Sequence, residues 1–146
     1  MRKAVSLCVM LLCLFLVSAI SNVQQRWLPL EPNLVQLQGK ILKVMKYGPP
    51  NYGENPESDA HYEIPIILLS KPIRVKGDPG SVVNREDLVN VSFVQLVFQS
   101  TPAVAYWHYA NQDVVVTGTL FRAETGHHHT PLLMTVKTIR AMKKGE

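Results

Sequence analysis

Apolar residues recur at every second position through several short runs of this chain, the spacing of half-buried β-strands. In LVQLQGKILKVM, Leu34 to Met45, the residues Val35, Leu37, Gly39 and Ile41 share one face and Val44 falls out of phase. The pattern predicts a strand with a slip, and Gly39 in mid-run suits a bulge or a sharp bend. The run HYEIPIILLS, His61 to Ser70, carries Pro65, which lacks a backbone N–H and so predicts an edge position or a break. Pro72 to Val75 continue that run after a bend. Alternation in VSFVQLVF, Val91 to Phe98, predicts a further strand. The end of the chain is clearest. DVVVTGTLFRAE, Asp113 to Glu124, and PLLMTVKTIRAM, Pro131 to Met142, are two β-rich runs joined by a short connection, which predicts a hairpin. Val114, Val116, Gly118 and Leu120 form one face of the first run.

The punctuation between these runs is equally informative. Residues 47–60 (YGPPNYGENPESDA) hold three prolines and two glycines and read as a long loop, a kind that is often functional. Lys76 to Ser81 (KGDPGS) is a turn built on Asp78-Pro79-Gly80. Asn84 to Leu88 has the makings of a short helix, with Asn84 as its cap. Five or six strands with room for one short helix make the domain all-β, spanning residues 34–142 and free of internal repeats.

Residues 20–33 form a leader into that domain, in which Pro29 and Pro32 block regular structure. Upstream, Arg2 and Lys3 precede an apolar core from Leu7 to Val17, followed by the small residues Ser18 and Ala19. This predicts a signal peptide over 1–19 and a periplasmic or secreted product. The apolar run is short for a transmembrane anchor, so no membrane attachment is expected after cleavage. Cleavage removes Cys8 and Cys13, which leaves no thiol chemistry, disulfide or cysteine-ligated zinc in the mature chain. It also takes the formal net charge from +4 to about +2, too little for a nucleic-acid partner to be expected.

L-x-G-x-I at Leu37 to Ile41, YEIPIILLSKPI at Tyr62 to Ile73, VQLVF at Val94 to Phe98, and VVVTGTLF followed by TGHHHTP together resemble a family of small exported bacterial proteins of unknown function. The resemblance covers roughly residues 34–140 and implies a compact OB-like β-barrel. It implies no chemistry. Barrels of this kind commonly use their surface for binding, but fold does not fix function.

Two groups of residues carry candidate chemistry. In Thr125 to Pro131, alternation along a strand would let His127 and His129 converge on a zinc or copper ion while His128 points elsewhere. His61, His108, Glu124 or Asp113 would then supply a third ligand. The plainer reading is a polar hairpin end. In PAVAYWHYAN, Pro102 to Asn111, the same alternation would place Trp107 and Tyr109 on one face with Tyr106 and His108 on the other. With Tyr52 from the long loop, these aromatics are candidate contacts for a protein or small ligand. Catalysis has the least support: no G-x-S-x-G, H-E-x-x-H or phosphate-cradling glycine loop is present. The expectation is an exported non-catalytic binding module, possible roles being inhibitor or immunity-like partner; the alternative is a metal-binding module built on His127 and His129. No cofactor is expected beyond that zinc or copper.

Overall fold

A computed structural model describes residues 26–100, 102–143 and 145. The expected signal peptide and the first part of the leader, residues 20–25, lie outside the described residues. Six strands follow in chain order: β1 (Trp27–Leu28), β2 (Leu34–Tyr47), β3 (His61–Val75), β4 (Leu88–Val97), β5 (Asp113–Arg122) and β6 (Leu132–Ala141). A 3-10 helix, Ala103–Tyr109, lies between β4 and β5.

All six strands join one sheet in the order β1-β3-β2-β5-β6-β4, and a further β3–β4 pairing closes β2 to β6 into a barrel-like ring. Neighbours in the ring are antiparallel except β4 and β6, which run parallel, and β1 adds as a short parallel strand to the end of β3. The all-β expectation holds, and closure explains how so small a sheet avoids long exposed edges.

The core lies inside the ring. Leu37, Ile41, Ile67, Val94, Leu96, Val114, Val116, Leu120, Leu132 and Met134 are buried together there. The sequence alternation of β5 is thus the core-facing alternation.

Gly39 lies where β2 changes partner. Leu34 to Lys40 pair with β5, whereas Gly39 to Tyr47 pair with β3, so one strand serves two walls of the ring. A Cβ at Gly39 would press into the Leu68 carbonyl, so only glycine permits this approach of the two backbones. Gly118 marks a register shift between β5 and β6 for the same steric reason, its missing Cβ making room for the Thr135 carbonyl. Pro65 lies within β3 opposite Lys43, and pairing of β3 with β4 begins only at Ile66. The proline thus occupies a local edge, as its missing donor requires.

Two expectations fail. No helix forms at Asn84 to Leu88, where the chain bends irregularly before β4 starts. Long-range partners take the capping groups: Asn84 Oδ1 accepts the Arg122 backbone N–H at 3.1 Å, and the Asp87 carboxylate accepts from Gly77 N and Lys76 Nζ, each at 2.8 Å. The aromatic segment is not a strand either. As a 3-10 helix it has a period near three, which groups Tyr106 with Tyr109 instead of Trp107 with Tyr109.

Candidate binding surface

Beyond Leu42 and Ile66, β2 and β3 leave the ring as a two-stranded ribbon. Lys43 to Tyr47 pair with His61 to Pro65, and β5 and β4 pair with other parts of these strands. The phase slip seen in the sequence falls here: odd-numbered β2 residues are buried up to Ile41 and exposed from Lys43 onward. The face that lines the core inside the ring therefore meets solvent once the ribbon projects past it. On that face Met45 is 59% exposed and Tyr47 38% exposed. Tyr47 meets the ring of its cross-strand partner His61 edge-on at 4.9 Å.

The long loop at the ribbon tip is organised. Asp59 is buried, and its carboxylate accepts the backbone N–H groups of Asn51 and Gly53, each at 2.7 Å. Burial works to raise its pKa, but these amides, with help from Asn55 and the Asn51 side chain, hold it below the ordinary carboxylate value. Further bonds from Ala60 N to the Pro49 carbonyl and Tyr52 N to the Gly48 carbonyl fold the loop back on itself. Gly53, at φ 103°, packs beside the Tyr47 ring, and Tyr52, also at positive φ, stands 65% exposed next to it. Met45 and Tyr47 thus share one exposed ribbon face, and Tyr52 stands exposed in the tip loop that the same framework fixes.

The other candidate aromatics are placed differently. Trp107 is half-buried beneath Lys43, whose Nζ lies 4.9 Å from the ring centroid, and Lys43 also pairs with Glu63 at 2.7 Å. That position is at the base of the same ribbon face. Tyr106 stacks on Phe98 with ring centroids 4.0 Å apart, and Tyr109 packs against the core. Both are structural contacts first. Met45 was missed in the sequence because it lies just past the phase slip, where the core-facing pattern reads as broken.

The three histidines are separated by a turn, not aligned on a strand. His128 N donates to the Thr125 carbonyl at 3.0 Å, closing the turn, and His127 is exposed within it. His128 Nδ1 accepts from Glu124 N at 2.8 Å and Thr125 N at 3.3 Å, while its ring meets Phe121 edge-on. His129 Nε2 lies 3.0 Å from the Tyr62 hydroxyl. Burial lowers the His129 pKa below the ordinary histidine value, and the positive charge of Lys46 and the neighbouring His127 and His128 add to this.

Gln95 holds this loop on the sheet. Directly opposite residues run Leu42, Ile66, Gln95, Leu133, Phe121 across the outer face. From the middle of that row the buried Gln95 side chain accepts the His129 backbone N–H at 2.7 Å and donates to the His127 carbonyl at 3.2 Å. Its own N–H donates to Thr130 Oγ1, which donates in turn to the Leu132 carbonyl at 2.6 Å.

The proposed third ligands are elsewhere. His61 is next to Tyr62 on β3 and so faces the opposite side from the Tyr62–His129 contact. His108 lies on the 3-10 helix, against the Ala105 carbonyl and the Tyr109 ring. Glu124 meets His128 through its backbone N–H, and Asp113 opens β5. Among the described residues no group of three or more His, Cys, Asp or Glu is placed to hold a metal ion. The strand alternation that would make His127 and His129 converge is absent because the chain turns at Gly126.

A family model described as a domain of unknown function, DUF4431, matches residues 93–140. The matched segment runs from within β4 to within β6, so it contains the 3-10 helix and the histidine loop and leaves the β2–β3 ribbon outside. No curated protein and no solved structure matches the chain.

Proposed function

We propose that this chain is an exported, non-catalytic binding module that acts through protein contacts made by the tip and one face of the β2–β3 ribbon. The observation that carries this reading is the solvent exposure of Met45 and Tyr47 on one ribbon face, and of Tyr52 in the tip loop, on a framework already fixed by Asp59 and cross-strand pairing. Adjacent exposed apolar side chains of this size mark interaction surfaces in soluble proteins, and tyrosine is among the residues that most often anchor them. A framework ordered before binding loses little further entropy on association. Glu54 and Glu57 are exposed in the tip loop, which has no Lys or Arg, so the partner surface should have an apolar centre and basic groups at its rim. Export rests on the N-terminal pattern of Arg2, Lys3 and the apolar run that follows.

Site-specific photocrosslinking in the exporting cell tests this. A crosslinking side chain at Tyr52 or Tyr47 should give one discrete protein adduct that Met45→Asp abolishes without lowering the melting temperature. The same probe at Phe93, on the outer face of β4, should give none. An adduct from Phe93 instead, or adducts insensitive to Met45→Asp, would refute the ribbon as the binding surface.

A further inference from the structure

A seam opens in the ring where β2 and β3 part. Their pairing runs from Tyr47 and His61 down to Gly39 and Leu69 and stops there. Upstream of Gly39, β2 pairs with β5, while β3 turns towards β4 and, at Arg74 and Val75, takes up β1. The divergence leaves a cleft of about 300 Å³ between the two strands. Leu28 and Ile73, both partly buried, are its accessible apolar wall, and Leu37 and Leu69, buried members of the main core, close its floor. Arg26, Lys71 and Gln36 stand at its mouth, and no acidic residue lines it. Past Gln36 and Arg26 the seam continues along β2 as a second cleft of about 440 Å³, again without an acidic residue.

This arrangement separates two kinds of chemistry over a short depth. The mouth offers two cations, Arg26 and Lys71, among the neutral Gln36, Gln38 and Ser70, which suits a carboxylate. Arg26 can present a planar fork of donors to it and Lys71 a point charge. The floor offers hydrocarbon only, so a small hydrated inorganic anion would gain nothing from it. A volume near 300 Å³ is at the lower end for ligand sites and corresponds to about ten water-sized volumes. We propose that the seam between β2 and β3 binds a small organic carboxylate with an apolar body. Its charged group lies between Arg26 and Lys71, and its hydrocarbon part rests on Leu37, Leu69 and Ile73. The site is separate from the ribbon face, so either reading stands or falls without the other.

Sodium octanoate is the probe, titrated into the tag-free exported chain and followed by methyl and amide NMR. Octanoate should saturate a single site with a Kd on the order of 1 mM, a reasonable value for a ligand of about ten non-hydrogen atoms. The largest shifts should fall on the methyls of Leu37, Leu69 and Ile73. Lys71→Gln and Arg26→Gln should each weaken binding roughly two- to fivefold, the range for one solvent-accessible ion pair, with the fold unchanged by circular dichroism. Octanol should bind more weakly than octanoate, and inorganic phosphate should leave the three methyls unmoved. Octanol equal to octanoate, or octanoate binding indifferent to both charge substitutions, would show that the cations do not select the ligand and overturn the proposal. So would the absence of saturable shifts at the seam.

Discussion

Replacing Gln95 by alanine separates a histidine loop held by its backbone from one organised around imidazole ligands. The Gln95 side chain makes two bonds to that loop, and both go to main-chain atoms, His129 N and the His127 carbonyl. Each is worth about 1 kcal/mol net. The His127 carbonyl sits in an exposed turn and will rehydrate, whereas the half-buried His129 N–H will do so incompletely, which adds about 1 kcal/mol. Gln95→Ala should therefore cost about 2–3 kcal/mol. In a domain of this size that is a fall in Tm of roughly 8–15 °C. His127→Ala removes an exposed ring and leaves both clamping bonds intact, so its effect should stay within about 0.5 kcal/mol. The assay is urea unfolding followed by tryptophan fluorescence, with thermal melts beside it and with and without added zinc. If Gln95→Ala costs under about 0.5 kcal/mol, or His127→Ala costs as much as Gln95→Ala, the backbone clamp is wrong. A melt raised by stoichiometric zinc in the wild type and not in His127→Ala would also refute it, because mass action on the folded state would then report a bound metal.

Gly39→Ala forces a Cβ into the Leu68 carbonyl, so β2 and β3 must move apart at the seam. About 2–3 kcal/mol of destabilisation by urea titration is expected. Lowering the pH should destabilise the fold through His129. Its folded-state pKa lies below the ordinary 6.5, so this contribution is unchanged above that pH. As pH falls below about 6.5 the unfolded chain takes up the proton first, and stability declines until the folded-state value is passed. His129→Gln should flatten the stability profile between pH 7.5 and 5, a window that lies above the titration of Asp59 and Asp87, both held low. An unchanged slope would exclude His129 as its source. Asp59→Ala removes the carboxylate that holds the Asn51 and Gly53 amides, so limited proteolysis should cut within 48–60 much faster while the global melt barely moves.

What the sequence disclosed and what it hid divide along sequence separation. Strand runs, the bend at Gly39, the local edge at Pro65 and the terminal hairpin are all written in neighbouring residues, by alternation or by the steric limits of glycine and proline. The errors arise where a distant partner claims a local group. Asn84 reads as a helix cap until the Arg122 amide, 38 residues on, takes its side chain. The partner of His129 is hidden in the same way, the Tyr62 hydroxyl that β3 brings up from 67 residues away. Gln95 drew no notice because a lone glutamine in a strand pattern carries no local signal. The aromatic segment was misjudged for another reason: it is too short to show whether its period is two or three.

The distribution of polar contacts also bears on the proposed binding surface. Around the histidines, nearly every directional bond is turned inward: His128 Nδ1 to two amides, His129 to Tyr62, Gln95 to the loop backbone, Thr130 to Leu132. Among the described residues no buried side-chain nitrogen or oxygen lacks a hydrogen-bond partner, so none is left aimed at a missing group. The ribbon face is the reverse. Its framework is just as well ordered, through Asp59 and the β2–β3 pairs, yet beside the Lys43–Glu63 pair it presents Met45 and Tyr47 outward, with Tyr52 exposed at the tip. Folding alone gives no reason to hold large apolar side chains in water on a rigid support, because their burial is the gain that ordering them should bring. Under the proposed function, association with a second surface would supply that gain, and the ordering needed for it is already complete when the chain has folded.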